Sequence, residues 1–412
     1  MDLGKLFHPR SVALIGASTE QNKLSGRPLR YFREYGYAGR LYPINPKYQE
    51  IEGLPCFAHL SDVPGEVDLA VITLPATAVP ESLAACGAKG VKAAAIISSG
   101  FAEVGGHGVE LQEQLKRVAT EWRIAVCGPN CSGFVYVPEK VTASFSVGLH
   151  GAFPQSGPAA FVSQSGALSS YILGAAGERA LGFRYWITTG NECVLSFTDY
   201  LEYLLEDPEV RLVLGYLEDA RDGPAFQRIA RRAVTLDKPL IIMKTGRSEA
   251  GARATVSHTG SLAGSDQIYQ AVFAQNGVLS AESLDELFDL ASIAQAARRP
   301  RGNRVQVVSI SGAAGILMAD VGAESGLEFP DLTEPTKHEL KKIMPPFASI
   351  ANPMDVTAEA VARPELLRQA AEVILTDPNV DNLVVFYGIV PGAHERLAKD
   401  MAQLAADTDK LV

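Results

Sequence analysis

No uninterrupted apolar stretch among the 412 residues reaches the ~20 needed to cross a bilayer, so no membrane-spanning helix is expected. The opening segment MDLGKLFHPRSVALIGAS has no long apolar core ahead of a small-residue cleavage site, and no signal peptide is expected. Positive charge is in deficit: 37 Lys and Arg face 47 Asp and Glu, a formal net charge of −10. Binding to nucleic acid needs a basic face, so nucleic acid is excluded as a partner. A small anionic ligand is not, because local donors decide that. Cysteine is scarce and odd in number, at positions 56, 86, 127, 131 and 193, with no C-x-x-C pair. Such a set reads as reduced thiols in a cytoplasmic protein. No spacing of His and Cys suits a metal, and no metal site is expected.

Five short apolar runs are present instead: SVALIGAS (11–18), LYPINP (41–46), VDLAVITLP (67–75), KAAAIIS (92–98) and RIAVCGPN (123–130). Runs of this kind read as buried parallel strands, and the helical stretches between them predict a doubly wound α/β sheet. Ligands of such sheets sit outside the carboxyl ends of the strands. That rule gathers Gly16, Ala17, Ser18, Asn45, Pro46, Lys47, Pro75, Ser98, Ser99, Gly100 and Asn130 around one crevice. A dinucleotide fits it poorly. G-x-G-x-x-G is missing after the first strand, and Lys47 follows the second strand where an acid should hold ribose hydroxyls. A lysine there suits a phosphate, so the crevice reads as a site for a phosphorylated nucleotide such as coenzyme A. The plainer alternative is that Lys47 is a solvated loop residue.

The rest of the chain repeats itself. FVSQSGALSSYILGAAGERALGF (161–183) matches VVSISGAAGILMADVGAESGLEF (307–329), LLEDPEVRLVLGYLE (204–218) matches ILTDPNVDNLVVFYGIV (374–390), and LDKPLIIMKTG (236–246) matches TDKLV (408–412). Three domains are expected: 1–138, then two related α/β domains at 140–298 and 303–412, joined by the Pro-, Gly- and charge-containing linker AARRPRGN (296–303). The second copy stops inside its last strand. A third domain shortened at its end is expected, and a short edge strand is the alternative.

Each copy carries a Ser-x-Ser-Gly turn between a strand and a helix. Small residues there let an anion reach the free N–H groups of the helix start, favoured by the helix dipole. Ser163, Gln164, Ser165 and Gly166 in one copy, and Ser311, Gly312 and Ala313 in the other, are the candidate phosphate contacts. Two such turns in a pseudo-two-fold pair would point at one shared anion. Between the copies lies TVSHTGSLAG (255–264), a histidine among small residues. A phosphoryl group carried on His258 would be stabilised by oriented helix-end donors. The other reading is a surface histidine in a Ser/Thr-rich turn. Lys244, Arg247 and Arg253 precede it and are further phosphate candidates. A histidine nucleophile needs a carboxylate at its other ring nitrogen. Glu218, ending the strand RLVLGYLE at the same sheet edge, is the first candidate and Glu192 the second. The other histidines, His59 among them, are assigned no role.

VALIGAS, INPK, IISSGFAE, CGPNCSG, VSQSGALS, YLED, SHTGSLAG and SISGAAGI occur in this order along essentially the whole chain. In this the sequence resembles the nucleoside-diphosphate-forming acyl-CoA synthetases, relatives of succinyl-CoA synthetase. The resemblance implies a Rossmann-like CoA-binding domain followed by two flavodoxin-like domains. It implies that His258 is the phosphorylated histidine and that Glu218 orients it. It further implies an acyl phosphate intermediate, a small carboxylic acid substrate, and ATP or ADP with Mg2+ bound on an ATP-grasp domain or beta subunit. No such module is seen in these 412 residues. An oligomer is expected. Some members are non-catalytic CoA-sensing modules of protein acetyltransferases, and that is the rival expectation.

Overall fold

A computed structural model describes residues 3–253, 265–296, 299–357, 359–363, 365–388 and 394–412. His258 and its neighbours 254–264 lie outside the described residues. The chain forms two compact units, Met1–Gln295 and Ala296–Val412. The architecture is mixed α/β with parallel sheets, as the run pattern predicts.

The first unit holds two sheets. One is built from β1 (Ser11–Ile15), β2 (Arg40–Ile44), β5 (Leu69–Ile72), β6 (Ala93–Ile96) and β7 (Ala125–Cys127). They are all parallel, in the order β2-β1-β5-β6-β7. All five residues of β1 are buried, which is why this strand reads as a continuous apolar run. A two-stranded excursion, β3 (Glu50–Ile51) with β4 (Leu54–Pro55), follows β2. The order reverses at β1, so the switch point where ligands bind in such sheets lies between β1 and β5.

The second sheet contains β8 (Gly133–Tyr136), β9 (Val141–Ser144), β10 (Ser156–Ser163), β11 (Phe183–Thr188), β12 (Leu212–Leu217), β13 (Leu240–Lys244) and β14 (Leu279–Ser280). Its order is β14-β13-β12-β10-β11-β8-β9, with β8 antiparallel to both its neighbours, β11 and β9. The expected junction at 138–140 therefore falls in the turn of a hairpin that belongs to the second sheet. The two sheets share one apolar core. Phe7, from the short N-terminal helix, packs edge-on against Phe134 (5.2 Å) and Tyr185 (5.0 Å) between ring centroids. Backbone bonds stitch them further: the N–H groups of Asn191, Cys193 and Leu195 donate to the carbonyls of Pro129 (2.9 Å), Gly128 (3.2 Å) and Val126 (3.4 Å). The segment 191–195 thus covers the edge strand β7, which would otherwise expose unpaired groups.

Gly190, at the start of that strap, has φ +60°, and a Cβ on it would lie 2.2 Å from the Pro129 carbonyl oxygen. Both the left-handed backbone and the backbone contact forbid a side chain. Gly190→Ala is expected to lower unfolding stability by about 2–5 kcal/mol, strain and overpacking together. A denaturant titration checks this, and a midpoint equal to that of the parent refutes it.

In the second unit, β15 (Val305–Ser309) pairs in parallel with β16 (Met354–Asp355) on one side and β17 (Asn382–Phe386) on the other. Leu411 forms a parallel bridge to Asn382, continuing the ladder where the repeat places a further strand. The duplication extends to single hydrogen bonds. Ser163 Oγ accepts from the Ser165 N–H (3.1 Å) and donates to the Ser165 carbonyl (3.0 Å). Ser309 Oγ does the same with Ser311 (2.9 and 2.7 Å). The next residue donates its N–H across the sheet in each copy, Gln164 to Tyr216 O (3.2 Å) and Ile310 to Phe386 O (3.2 Å).

Candidate active site

The carboxyl edge of the first sheet opens into a cleft of ≈ 920 Å³, lined among others by Gly16, Asn45, Pro46, Lys47 and Pro75. Gly16 turns the chain after β1 at φ +90°, and a Cβ there would stand 2.9 Å from Thr73 Oγ1. Asn45 ties two turns together: its Nδ2 donates to Ala17 O (2.8 Å) and its Oδ1 accepts the Lys47 N–H (3.0 Å). Lys47 itself is exposed on the rim of the cleft. Ala17 and Ser18 are buried; they shape the turn rather than line the cleft. His59 and Lys89 also line it. Sequence reasoning left both out: the β3–β4 excursion before His59 has no strong pattern of its own, and Lys89 ends the helix Val79–Lys89, away from the strand ends.

A second cavity, of ≈ 340 Å³, joins loops of both sheets and is lined by Ser99, Asn130, Gln164, Ser165, Gly166 and Glu218 among others. Asn130 has φ +55° and reaches the loop after β11, where its Nδ2 donates to Asn191 Oδ1 (3.2 Å). Asn191 Nδ2 donates in turn to Glu103 and to Gln112 Oε1 (2.9 Å). Asn191 is thus the joint between the two sheets' loops, and no sequence motif marked it. Glu103 accepts the N–H groups of Gly100 (2.5 Å) and Phe101 (3.2 Å). Burial pushes the Glu103 carboxyl up, but the Asn191 amide and these backbone donors outweigh it and hold it below its ordinary range. Ser98 is buried, and its Oγ has no hydrogen-bond partner among the described residues.

The helix Gly166–Ala176 starts at this cavity. Its N-cap, Ser165, is extended, and the hydroxyl makes no capping bond. The orphan donors of the first turn are therefore not taken up by a side chain. A Cβ on Gly166 would stand 2.5 Å from Ser132 Oγ, so a side chain there would force the Ser132 hydroxyl to move. Glu218 follows β12 and is 7% exposed. Among the described residues, Arg221 is the one cationic residue lining the cavity; its guanidinium donates to Asn191 O (3.0 Å) and Glu192 O (3.2 Å). Arg221 was not singled out in the sequence, and the cations that were named there beside the histidine have other partners. Lys244 is buried over the Tyr269 ring, 4.6 Å from its centroid, Arg247 approaches Glu282 (3.5 Å), and Arg253 approaches Glu249 (4.0 Å). In the second unit, Ser311 Oγ caps its own helix by accepting the Ala314 N–H (3.4 Å), and a Cβ on Gly312 would stand 2.8 Å from Asp355 Oδ2. Ala313 is exposed.

Glu192 lies behind the cavity wall, not on it. It is 6% exposed and accepts from Gln164 Nε2 (2.9 Å) and Thr189 Oγ1 (2.8 Å). Burial raises its pKa, against the lowering pull of Gln164, Arg221 and Thr189. A carboxyl raised on folding lends stability in its protonated form below the unfolded value, and that contribution is lost as pH rises through the folded value. Glu192→Gln keeps the acceptor oxygen and removes the charge. It is expected to gain stability relative to the parent as pH rises above the ordinary carboxyl range, about 4, to pH 8. Denaturation at both ends of that range checks this, and a pH-independent difference refutes it.

The CoA binding domain family matches residues 10–137, the succinyl-CoA ligase like flavodoxin domain 156–294, and the ligase-CoA domain 305–407. The alpha subunit of ADP-forming acetate–CoA ligase II from Pyrococcus furiosus is 38% identical over 398 residues, 95% of this chain and 85% of that one. The chain belongs to the family of ADP-forming acetate–CoA ligase alpha subunits. Another member of the family, the ligase I alpha subunit of the same organism, is 39% identical over 94% of this chain and 83% of its own. Among solved structures, the acetyl-coenzyme A synthetase 1 of Ca. Korarchaeum cryptofilum, bound to phosphate and ADP, superposes with a TM-score of 0.91. That protein is 37% identical, over 100% of this chain and 88% of its own. Among the described residues, no helix is long and apolar enough to cross a membrane.

Proposed function

We propose that this chain is the CoA-binding and phosphohistidine-bearing part of an ADP-forming acyl-CoA synthetase. In the direction of ATP formation, inorganic phosphate attacks the thioester carbonyl of an acyl-CoA, the C–S bond breaks, and CoA and an acyl phosphate result. His258 then takes the phosphoryl group and releases the carboxylic acid. Phosphohistidine passes that group to ADP at a nucleotide site on an ATP-grasp partner, where Mg2+ is bound. Every step reverses. The observation that carries this reading is the convergence of Asn130, the uncapped helix start at Gly166 and the buried Glu218 on one cavity. Glu218 would hold the imidazole, and the helix start would bind the phosphoryl oxygens. The start at Ser311–Ala313 is the equivalent turn of the second copy. CoA would run along Gly16, Asn45, Pro46 and Lys47, with its thiol end near Asn130. The five unpaired cysteines support a reducing, cytoplasmic setting.

The test is incubation with acetyl phosphate carrying labelled phosphorus. Acid-labile, base-stable label on His258, followed by acetyl-CoA formation once CoA and an ATP-grasp partner are added, supports the reading. CoA binding without any label would make the chain a CoA-sensing module instead. Lys47 offers a separate check. Lys47→Ala is expected to weaken CoA by about 10- to 100-fold, the size of a charge-assisted bond, while dephospho-CoA loses little. Equal losses by calorimetry would remove its role at the 3′-phosphate.

A further inference from the structure

We propose that Gln164 is the positioning residue of Glu218 and not a phosphate ligand; this deepens the reading of the site given above and rests on it. The amide of Gln164 is fully engaged. Its Oε1 accepts the N–H groups of Glu218 (2.6 Å) and Asp219 (3.0 Å). Its Nε2 donates to Asp219 O (2.9 Å) and Glu192 Oε1 (2.9 Å). A side-chain amide has two donors and one two-lone-pair acceptor, so nothing is left for an anion. The buried Glu192 is itself held by Thr189 Oγ1 (2.8 Å) and stands 3.7 Å from Arg221 Nε. A chain of polar contacts thus runs from Arg221 through Glu192 and Gln164 to the backbone of Glu218.

The duplicated half is an internal control. Ile310 takes the place of Gln164 and makes the same cross-sheet bond, N–H to Phe386 O at 3.2 Å against N–H to Tyr216 O at 3.2 Å. Counting on from those partners, Gly388 stands where Glu218 stands. The hydroxyl of Ser309, before Ile310, bonds as that of Ser163, before Gln164, does. The turn therefore forms without the amide. The amide is present in the half that has the acid, and both are replaced in the other. What Gln164 adds is a fixed peptide at 218–219, from which the Glu218 carboxylate projects in one direction.

Four variants test this in the full chain with its ATP-grasp partner: Gln164→Ile, Gln164→Glu, Glu218→Ala and the double Gln164→Ile/Glu218→Ala. The readouts are the single-turnover rate of His258 phosphorylation from acetyl phosphate and the Kd for CoA. Gln164→Ile is expected to slow phosphorylation about 10- to 100-fold, the effect of stripping hydrogen bonds from a buried site. Glu218→Ala should slow it at least as much, and the double variant should match Glu218→Ala within about threefold, because residues acting as a unit are not additive. CoA affinity should hold within about twofold in all four, which general misfolding would not allow. A double variant as slow as the product of the two singles means that Gln164 acts independently, and overturns the proposal. So does a parental rate in Gln164→Ile beside a slow Glu218→Ala. Should Gln164→Ile not fold, Gln164→Glu decides: it keeps both acceptor contacts and loses the two donors, so a partial loss is expected and a parental rate overturns the proposal. If Glu218→Ala itself phosphorylates at the parental rate, it is the reading of the site that fails.

Discussion

His258→Ala is expected to remove every trace of acid-labile label and to cut thioester synthesis by a factor on the order of 10⁵ or more, as loss of a covalent nucleophile does. CoA should bind the variant within about twofold of the parent. The two outcomes separate because the candidate CoA contacts Gly16, Asn45 and Lys47 line the cleft at the β1–β5 switch, whereas Glu218 and the Gly166 helix start line the smaller cavity. Label that persists in His258→Ala at the parental level would place the covalent step on another side chain. Mass spectrometry of intact protein, before and after acid, reads the result directly.

Glu218→Gln is expected to lower the phosphorylation rate by about 10²–10⁴-fold, the range for a group that orients and charges an imidazole. Glutamine preserves the shape of the side chain and leaves the Glu218 N–H, held by Gln164 Oε1, unaltered. It removes only the negative charge. At 7% exposure water cannot replace that charge, since the field of a nearby carboxylate is strongest where solvent is excluded. Glu218→Asp should recover part of the rate, having the charge but a shorter reach. A Glu218→Gln rate within twofold of the parent, measured under single-turnover conditions, would show that the carboxylate is not the imidazole's partner. The comparison belongs at saturating acetyl phosphate, so that a change in substrate affinity does not enter.

The sheets could be read from the amino acids for a simple reason. β1, β5 and β6 are buried along their whole length, and a strand covered on both faces must be apolar throughout. The same logic fails for β8, all of whose residues are also buried. An apolar run does not say which of two sheets it joins, and the pairing of this hairpin with β11 was not legible in the sequence. β16, two residues long, carries no period at all. Asn130, Ser165, Gly166 and Glu218 line one cavity, and their nearness was legible because each follows a strand at a carboxyl edge, where position alone carries the inference. Gln164 was found for its place in the turn, but its side chain turns into the protein. Glu192 was considered as a carboxylate for the histidine, and it braces Gln164 instead. Asn191 and Arg221 were missed. Both act through contacts between loops far apart in the chain, and a one-dimensional pattern has no term for that.

The strap of residues 191–195 along β7, with Phe7 packed on Phe134 and Tyr185 of the second sheet, has a consequence for how such enzymes diversify. A stretch of sequence that looks like a self-standing CoA cassette cannot be shuffled between genes without its lid, which is encoded some sixty positions downstream. Recombination at the apparent seam would produce a raw sheet margin and an unfilled aromatic socket. Variety in the acids accepted should therefore accumulate by single replacements in the cavity walls, with the two layers inherited together.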